Sequence, residues 1–353
     1  MNHNFKGRDF INLHDMNPDE WRYLLDLAAT LKAEKKAGVD QRRFVGKNVC
    51  AFFEWGSTRT RCAFETSAHD LGLGFTYLTN SHMGSNETIE DAITVISSMY
   101  DAIVYRSLQP YGFLYNLAEI ADIPVINAMG ENDHPTQMLA DALTMEEEWG
   151  GRFSCKHKKM AYVGNCNHTP VEYARLCALM GMDLYLFSPN MRQYQFDKKF
   201  MPEVQEMFKK FSPNNKIVET SDLSLLKGMD VLVTEWWSNT DDGTGRPLDP
   251  NKYESWMGHA KELLPYRLDS RLMEMTENPD CIAMHMLPSC HSAEHDLGRR
   301  LLRDAPDEES KKIIREGLEI SDECFRKQWR TIFREAENRQ HTIKAILAAC
   351  LGL

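Results

Sequence analysis

Ser57-Thr58-Arg59-Thr60-Arg61 sets three hydroxyls and two guanidiniums side by side, shortly after an apolar run that ends at Phe53. If a strand ends there and a helix begins, free N–H groups at the helix N-terminus join those side chains in an anion site, most naturally for phosphate. A helix cap alone also selects Ser and Thr, so an N-cap with solvated arginines is the competing reading. The strand-to-helix position favours the anion. His134-Pro135-Thr136-Gln137 stands at a second such junction. A lone histidine is more often a cap or core residue than a catalyst. On the same sheet edge as an anion site, however, His134 and Gln137 become hydrogen-bond partners for a neutral carbonyl or amide. Gly164-Asn165-Cys166-Asn167 has one glycine and is no G-x-G-x-x-G fingerprint, so a nicotinamide enzyme is poorly supported.

These segments need strands and helices to hold them. Asn17-Pro18-Asp19-Glu20 is a capping side chain, an N1 proline and an N3 glutamate, and predicts a helix running to about residue 35. Short apolar runs at 48–53, 75–78, 102–105 and 125–127 read as strands, and 58–71, 88–100 and 110–120 between them carry helical periodicity. A helix over 135–149 ends at Gly150-Gly151, after which strands recur at 160–163, 184–187, 216–218, 231–234 and 282–285. Strand and helix in alternation predict an α/β protein of two domains, each a parallel sheet flanked by helices. Residues 1–150 form the first domain. Residues 151–324 form the second, and a last helix from about 325 to 353 returns to the first. A polar loop rich in Gly and Pro, 238–251, follows a strand directly, where ligands sit in open α/β sheets.

The composition fits a soluble globular chain of two domains: 353 residues, 42% hydrophobic and 26% charged with both signs interleaved. A net charge of -11 with no Lys/Arg block argues against nucleic acid as a partner. No stretch approaches the ~18 apolar residues of a membrane helix, and the start carries no apolar signal region, so no membrane partner and a cytoplasmic setting are expected. Nine cysteines without a C-x-x-C pair read as reduced core residues rather than disulfides or a metal site.

Ser-Thr-Arg-Thr-Arg followed by Cys-Ala-Phe-Glu, His-Pro-Thr-Gln followed by Met-Leu-Ala-Asp, and the run from Ala336 to Ala345 resemble, in order, the aspartate/ornithine carbamoyltransferase family. The similarity is greatest to the ornithine branch and extends from Arg8-Asp9-Phe10 onward. The resemblance implies transfer of a carbamoyl group from carbamoyl phosphate to an amine. It places Ser57, Thr58, Arg59 and Thr60 on the phosphate and Arg106 on phosphate and carbonyl oxygen. His134 and Arg339 would be further donors to that oxygen. Gln137 and the main-chain carbonyl of Leu287 would hold the carbamoyl nitrogen. No metal or organic cofactor is implied, and the family builds trimers. In such a trimer the loop at 79–84 reaches a neighbouring subunit's phosphate. His82 stands there where the ornithine branch commonly has Gln, and contact with that phosphate and a solvated loop histidine are weighed equally.

Three departures fall on the acceptor side. His285-Met286-Leu287-Pro288 replaces His-Cys-Leu-Pro, exchanging a thiol for a thioether that donates nothing. Glu235-Trp236-Trp237-Ser238-Asn239-Thr240 replaces an Asp followed by Ser-Met-Gly, and His168-Thr169, with Asn167 just before, replaces paired asparagines. The acceptor-binding set is then Asn167, Thr169, Glu235, Asn239 and Met286, with Trp236 and Trp237 assigned chiefly to core. The expected acceptor is ornithine or an ornithine-like amino acid. The alternatives are a different amine (putrescine, a lysine-like compound or a modified ornithine) or a non-catalytic paralogue that binds carbamoyl phosphate.

Overall fold

The computed structural model describes residues 4–79, 81–237 and 253–353, with the backbone alone at 253–256. Asn239 and the whole of the 238–251 loop lie outside the described residues. The chain divides into two compact units, Met1–Arg152 with Ala336–Leu353, and Phe153–Glu335.

In the first unit, helix α1 (Pro18–Lys36) precedes four strands, β1 (Asn48–Phe53), β2 (Gly74–Leu78), β3 (Ala102–Arg106) and β4 (Val125–Met129). They alternate with α2 (Thr58–Leu71), α3 (Ile89–Met99) and α4 (Phe113–Ile120), and α5 (Pro135–Glu148) follows β4. The predicted cap of α1 forms as a reciprocal pair: the Asn17 side chain accepts from the Asp19 and Glu20 N–H groups, and Glu20 accepts from the Asn17 N–H. The helix expected from 110 begins only at Phe113, because Gly112 takes a left-handed φ of 98° before it. The sheet is wholly parallel in the order β2-β1-β3-β4.

The second unit holds β5 (Lys159–Val163), α6 (Pro170–Met180), β6 (Asp183–Phe187), α7 (Met201–Phe211), β7 (Ile217–Thr220) and β8 (Val231–Thr234). Then come α8 (Tyr253–Leu263), α9 (Ser270–Met275), β9 (Ile282–His285), α10 (Asp296–Asp304) and α11 (Glu308–Glu316). Its sheet is parallel in the order β7-β6-β5-β8-β9. The last helix, α12 (Asp322–Leu351), starts in the second unit and ends in the first. The return expected near 325 falls at Ala336, because Phe325 and Ile332 are spent in the second unit's apolar core beside β5, β8 and β9 residues.

Both strand orders reverse direction once, between β1 and β3 in the first unit and between β5 and β8 in the second. At such a switch point the helices leave on opposite faces and a crevice opens beyond the strand ends. Segments 54–60 and 106–109 lie at the first switch point, 164–169 and 235–237 at the second, and the adjacent strands β4 and β9 end beside them at 130–137 and 286–290.

Eight of the nine cysteines are buried thiols, as a reduced core requires; Cys62, on the outer face of α2, is exposed. Trp237 is buried in a core cluster of the second unit, with Trp236 packed against it. The ring of Trp237 lies so close to Gly164 that a β-carbon there would come within 2.7 Å of the indole nitrogen, and Gly164 also holds φ at 114°. Gly164→Ala is therefore expected to cost about 2 kcal/mol or more, from strain and overpacking together. Urea unfolding should show a lower midpoint with an unchanged slope.

Candidate active site

The first unit's polar edge is built by three junctions. β1 and β3 are in register, with Phe53 opposite Arg106, and the Glu54 N–H donates to the Arg106 carbonyl at 3.1 Å. Glu54 then fastens the loop after β3: its carboxylate accepts from the Tyr105 hydroxyl at 2.8 Å, the Gln109 amide at 3.0 Å and the Leu108 N–H. Ser57 caps α2, its hydroxyl facing the Thr60 N–H at 3.4 Å, so the first N–H groups of that helix point past the strand ends.

Arg106 is 6% exposed, and its guanidinium makes no ion pair with any described residue. Its Cζ lies 4.1 Å from the ring centre of Trp55, which steadies the cation without neutralising it. Burial, then the positive charges of Arg339 and Arg59, push its pKa down to about 9, still protonated at neutral pH. Burial likewise lowers Arg59. Arg339, buried on α12, donates to the Gln137 amide oxygen at 2.5 Å and to the Thr60 and Thr136 hydroxyls at 3.0 and 3.3 Å, and stands 3.5 Å from His134 Nε2. The His134 imidazole is 8% exposed; burial first, and Arg339 and Arg106 second, hold its pKa well below 6.5, so the ring is neutral. A guanidinium N–H facing Nε2 leaves the ring proton on Nδ1, 3.4 Å from the Thr136 hydroxyl. Three cations, a neutral imidazole and a helix N-terminus suit an anion with a polarised carbonyl attached.

The second unit shows the opposite imbalance. Glu235, at the end of β8, is 8% exposed and accepts from the Thr169 hydroxyl at 2.7 Å, with the Tyr162 hydroxyl also against it. Burial outweighs both hydroxyls and raises its pKa to about 7. Asn167 and Thr169 are half-buried beyond β5. Met286 and Leu287 are half-buried beyond β9, and Leu287, at φ 52°, donates its N–H to His285 Nδ1 at 3.0 Å. Because Nδ1 accepts that bond, the ring proton sits on Nε2, which faces the buried Glu319 carboxylate at 3.2 Å.

Of the residues named from the sequence, Thr60, Arg106, His134, Gln137 and Arg339 thus converge in the first unit with Ser57, Thr58 and Arg59 at the start of α2, and Thr169 meets Glu235 in the second. His82 is exposed, bonded at Nδ1 to the Asn86 side chain at 2.7 Å, on the turn before α3. The sequence alone assigned no role to Trp55, Tyr162, Asp141 or the pair His285–Glu319. Trp55 is adjacent to the Ser-Thr-Arg run, and Asp141 is an acid within the apolar run Met138–Leu143, the two signals that were there to be found.

A parallel α/β unit that gathers cations at its switch point and a second that buries an acid, Glu235, at its own are the frame of a two-substrate α/β enzyme. Residues 8–147 match the model described as aspartate/ornithine carbamoyltransferase, carbamoyl-P binding domain, and 156–350 the Asp/Orn binding domain of the same family. The chain belongs to the aspartate/ornithine carbamoyltransferase family. It is 36% identical over 356 residues to the ornithine carbamoyltransferase of Pediococcus pentosaceus, covering 100% of both chains. To a Streptococcus agalactiae protein named ornithine carbamoyltransferase 1, catabolic, it is 37% identical over 99% of both. Among solved structures, the ornithine carbamoyltransferase of Pyrococcus furiosus superposes with a TM-score of 0.81 at 26% identity, covering 99% of each chain. The anabolic enzyme of Campylobacter jejuni does so with 0.76 at 27%, covering 96% of this chain and 98% of its own.

The buried acid has a measurable signature. A carboxyl whose folded pKa of about 7 exceeds its ordinary 4.5 favours the folded state below pH ~4.5, and that contribution is lost as pH rises towards 7. The loss amounts to about 3 kcal/mol at pH 8. Glu235→Gln, in the absence of substrates, should gain stability over the parent at pH 8 and match it at pH 4. Equal urea midpoints at both values would show that the carboxylate is not destabilised by burial.

Proposed function

We propose that this chain, a carbamoyltransferase, moves the carbamoyl group of carbamoyl phosphate to an amine of ornithine or an ornithine-like amino acid and releases phosphate. The observation that carries the reading is the positive charge of the first unit: Arg106 is buried with no carboxylate partner among the described residues, beside Arg59 and Arg339. A phosphate dianion supplies what that site lacks. Ser57, Thr58, Arg59 and Thr60 hold the phosphate, and Arg106 bridges it to the carbonyl. Attack by a neutral amine makes a tetrahedral centre whose oxygen gains charge, and His134, Arg106 and Arg339 are donors already set for it. Phosphate is a good leaving group, so orientation does most of the remaining work.

In the second unit Glu235 is the charge partner of the acceptor. A carboxylate beside the attacking nitrogen would favour its protonated, non-nucleophilic form, so Glu235 serves best opposite an amine that does not react. This supports an acceptor with two nitrogens. The longer acid and Met286 in place of a thiol favour, as a second reading, a substituted ornithine or another diamine in a pocket of changed outline. Phosphate release measured with carbamoyl phosphate and a panel of ornithine, lysine, putrescine and N-substituted ornithines tests both. One amine should lead clearly. Turnover with none removes the reading; ordinary efficiency with ornithine, undiminished in Glu235→Ala, removes the assigned acid.

We infer a cytoplasmic enzyme assembled as a trimer, or a multiple of trimers, in which His82 meets the phosphate of a neighbouring subunit. Among the described residues no helix is long and apolar enough to cross a membrane. Mixing inactive His82→Ala chains with inactive Arg59→Ala chains should restore part of the activity, since some sites then receive both intact residues. A His82→Ala chain as active as the parent would overturn the shared site.

A further inference from the structure

Trp55 follows β1 by two residues and lies at the first unit's switch point, where Arg106 ends β3. The Arg106 guanidinium is buried, its Nε has no hydrogen-bond acceptor among the described residues, and its Cζ stands 4.1 Å from the Trp55 ring centre. Arg61 is held differently. Its Cζ is also 4.1 Å from a ring centre, that of Tyr77, but it has the Glu65 carboxylate at 3.3 Å as well. Among the described residues Arg106 has the ring and no acid. The acid beside Trp55 in sequence, Glu54, is committed to the Tyr105 hydroxyl, the Gln109 amide and the Leu108 N–H.

A long side chain in a group of cations needs something to keep it there. Arg59 and Arg339 repel Arg106, and without an attractive partner the guanidinium would turn away from them toward water. A carboxylate would hold it but would also occupy the N–H groups that a phosphate must use. The face of an indole attracts the cation through its quadrupole and takes no charge-assisted hydrogen bond from it. The ring thus favours the placed guanidinium in the free site and leaves its donors to the ligand. We propose that Trp55 is a positioning residue of the first unit's anion site: its ring face keeps Arg106 in the phosphate-binding position before the ligand arrives, and so sets the affinity for phosphate and for carbamoyl phosphate. The inference rests on the reading of the first unit as the donor site. Apparent affinity is the intrinsic affinity multiplied by the fraction of molecules whose Arg106 is in place, so a weaker ring weakens binding. A ring that only stabilised the empty site would act in the opposite sense, because an arriving dianion neutralises the cation and reduces its attraction to the ring.

Fluorine on an indole withdraws density from the ring face with little change in shape, so it weakens the attraction and spares the packing. Tryptophan carrying one, two or three fluorines is placed at position 55 alone, and the affinity for inorganic phosphate is measured by calorimetry beside that of the parent. Affinity should fall with each fluorine, to about fivefold below the parent with all three. Trp55→Leu, which removes the quadrupole outright, should lose about tenfold, and Trp55→Phe, with a smaller ring, less. In turnover the KM for carbamoyl phosphate should rise in parallel while kcat changes by no more than about twofold, since saturating ligand draws Arg106 into place. A merely structural role for Trp55 would lower kcat and the urea midpoint in Trp55→Leu and leave the fluorinated series level. A level series, or affinity that rises with fluorine, overturns the proposal. No binding of inorganic phosphate by the parent would instead remove the donor-site reading on which it stands. Should Trp55→Leu fail to fold, the fluorinated series, which keeps the ring, still decides.

Discussion

The positive charge of Arg106, buried with no carboxylate among the described residues, is the constraint around which the first unit is arranged. An unpaired guanidinium out of water costs several kcal/mol, and proteins ordinarily avoid the cost with a salt bridge. Elsewhere in the same unit that is what happens: Arg22 pairs with Glu146 at 2.6 Å, and the buried Lys344 with Asp70 at 2.5 Å. Arg106 receives a ring face instead of an acid. Even the acid nearest in sequence to the Ser-Thr-Arg run, Glu54, is turned to a tyrosine hydroxyl, a glutamine amide and a backbone N–H. The positive end of α2 adds to the imbalance. His134 follows from this: among such neighbours an imidazole stays neutral, and a neutral ring donates one hydrogen bond without adding another charge.

The sheets make the arrangement possible. Parallel strands send all their carboxyl ends to one edge, and one reversal of strand order opens the crevice there. Residues far apart in sequence, at 57–60, 106 and 134–137, therefore meet. Arg339 reaches them because the second half of α12 is anchored in this unit, with Lys344 on Asp70 and Gln41 and the Ser67 hydroxyl on the Gln340 carbonyl. The net charge of -11 gives no hint of so positive a site, since net charge speaks to solubility and long-range steering while a buried cluster is set by its own neighbours.

Much of this was legible in the sequence, for reasons particular to each element. The inner strands, β3 among them, are buried on both faces and read as continuous apolar runs, and α1 carries a complete capping box. The Ser-Thr-Arg and His-Pro-Thr-Gln segments were readable because each is contiguous and sits where a period changes. The strand order was not, because it is decided by crossovers that leave no local trace. Asp141 was read only as the end of a motif and given no role of its own, and Tyr162 passed unremarked because a tyrosine in a strand is ordinary core. The change of unit within α12 was invisible for a related reason. Its helical pattern continues without a break through Glu335 and Ala336, and only tertiary packing decides which core each turn enters.

The second unit completes the argument by contrast. Its polar edge repeats the first unit's plan, with a switch point between β5 and β8, a neighbouring strand β9, and functional residues at all three ends. The charge is reversed: one acid, Glu235, is buried with only hydroxyl donors among its described partners. Supplying each site with its missing counter-charge from the chain would stabilise both units and fill the places where ligands bind. Each unit accordingly leaves unmet the interaction that its own core would most readily satisfy, and the two deficits differ in kind. The cations call for a dianion whose charge is spread over several oxygens, which suits fixed donors of the kind Arg59 and Arg106 provide. The acid calls for a single compact cation, and its pKa near 7 lets a modest gain in interaction decide its ionisation.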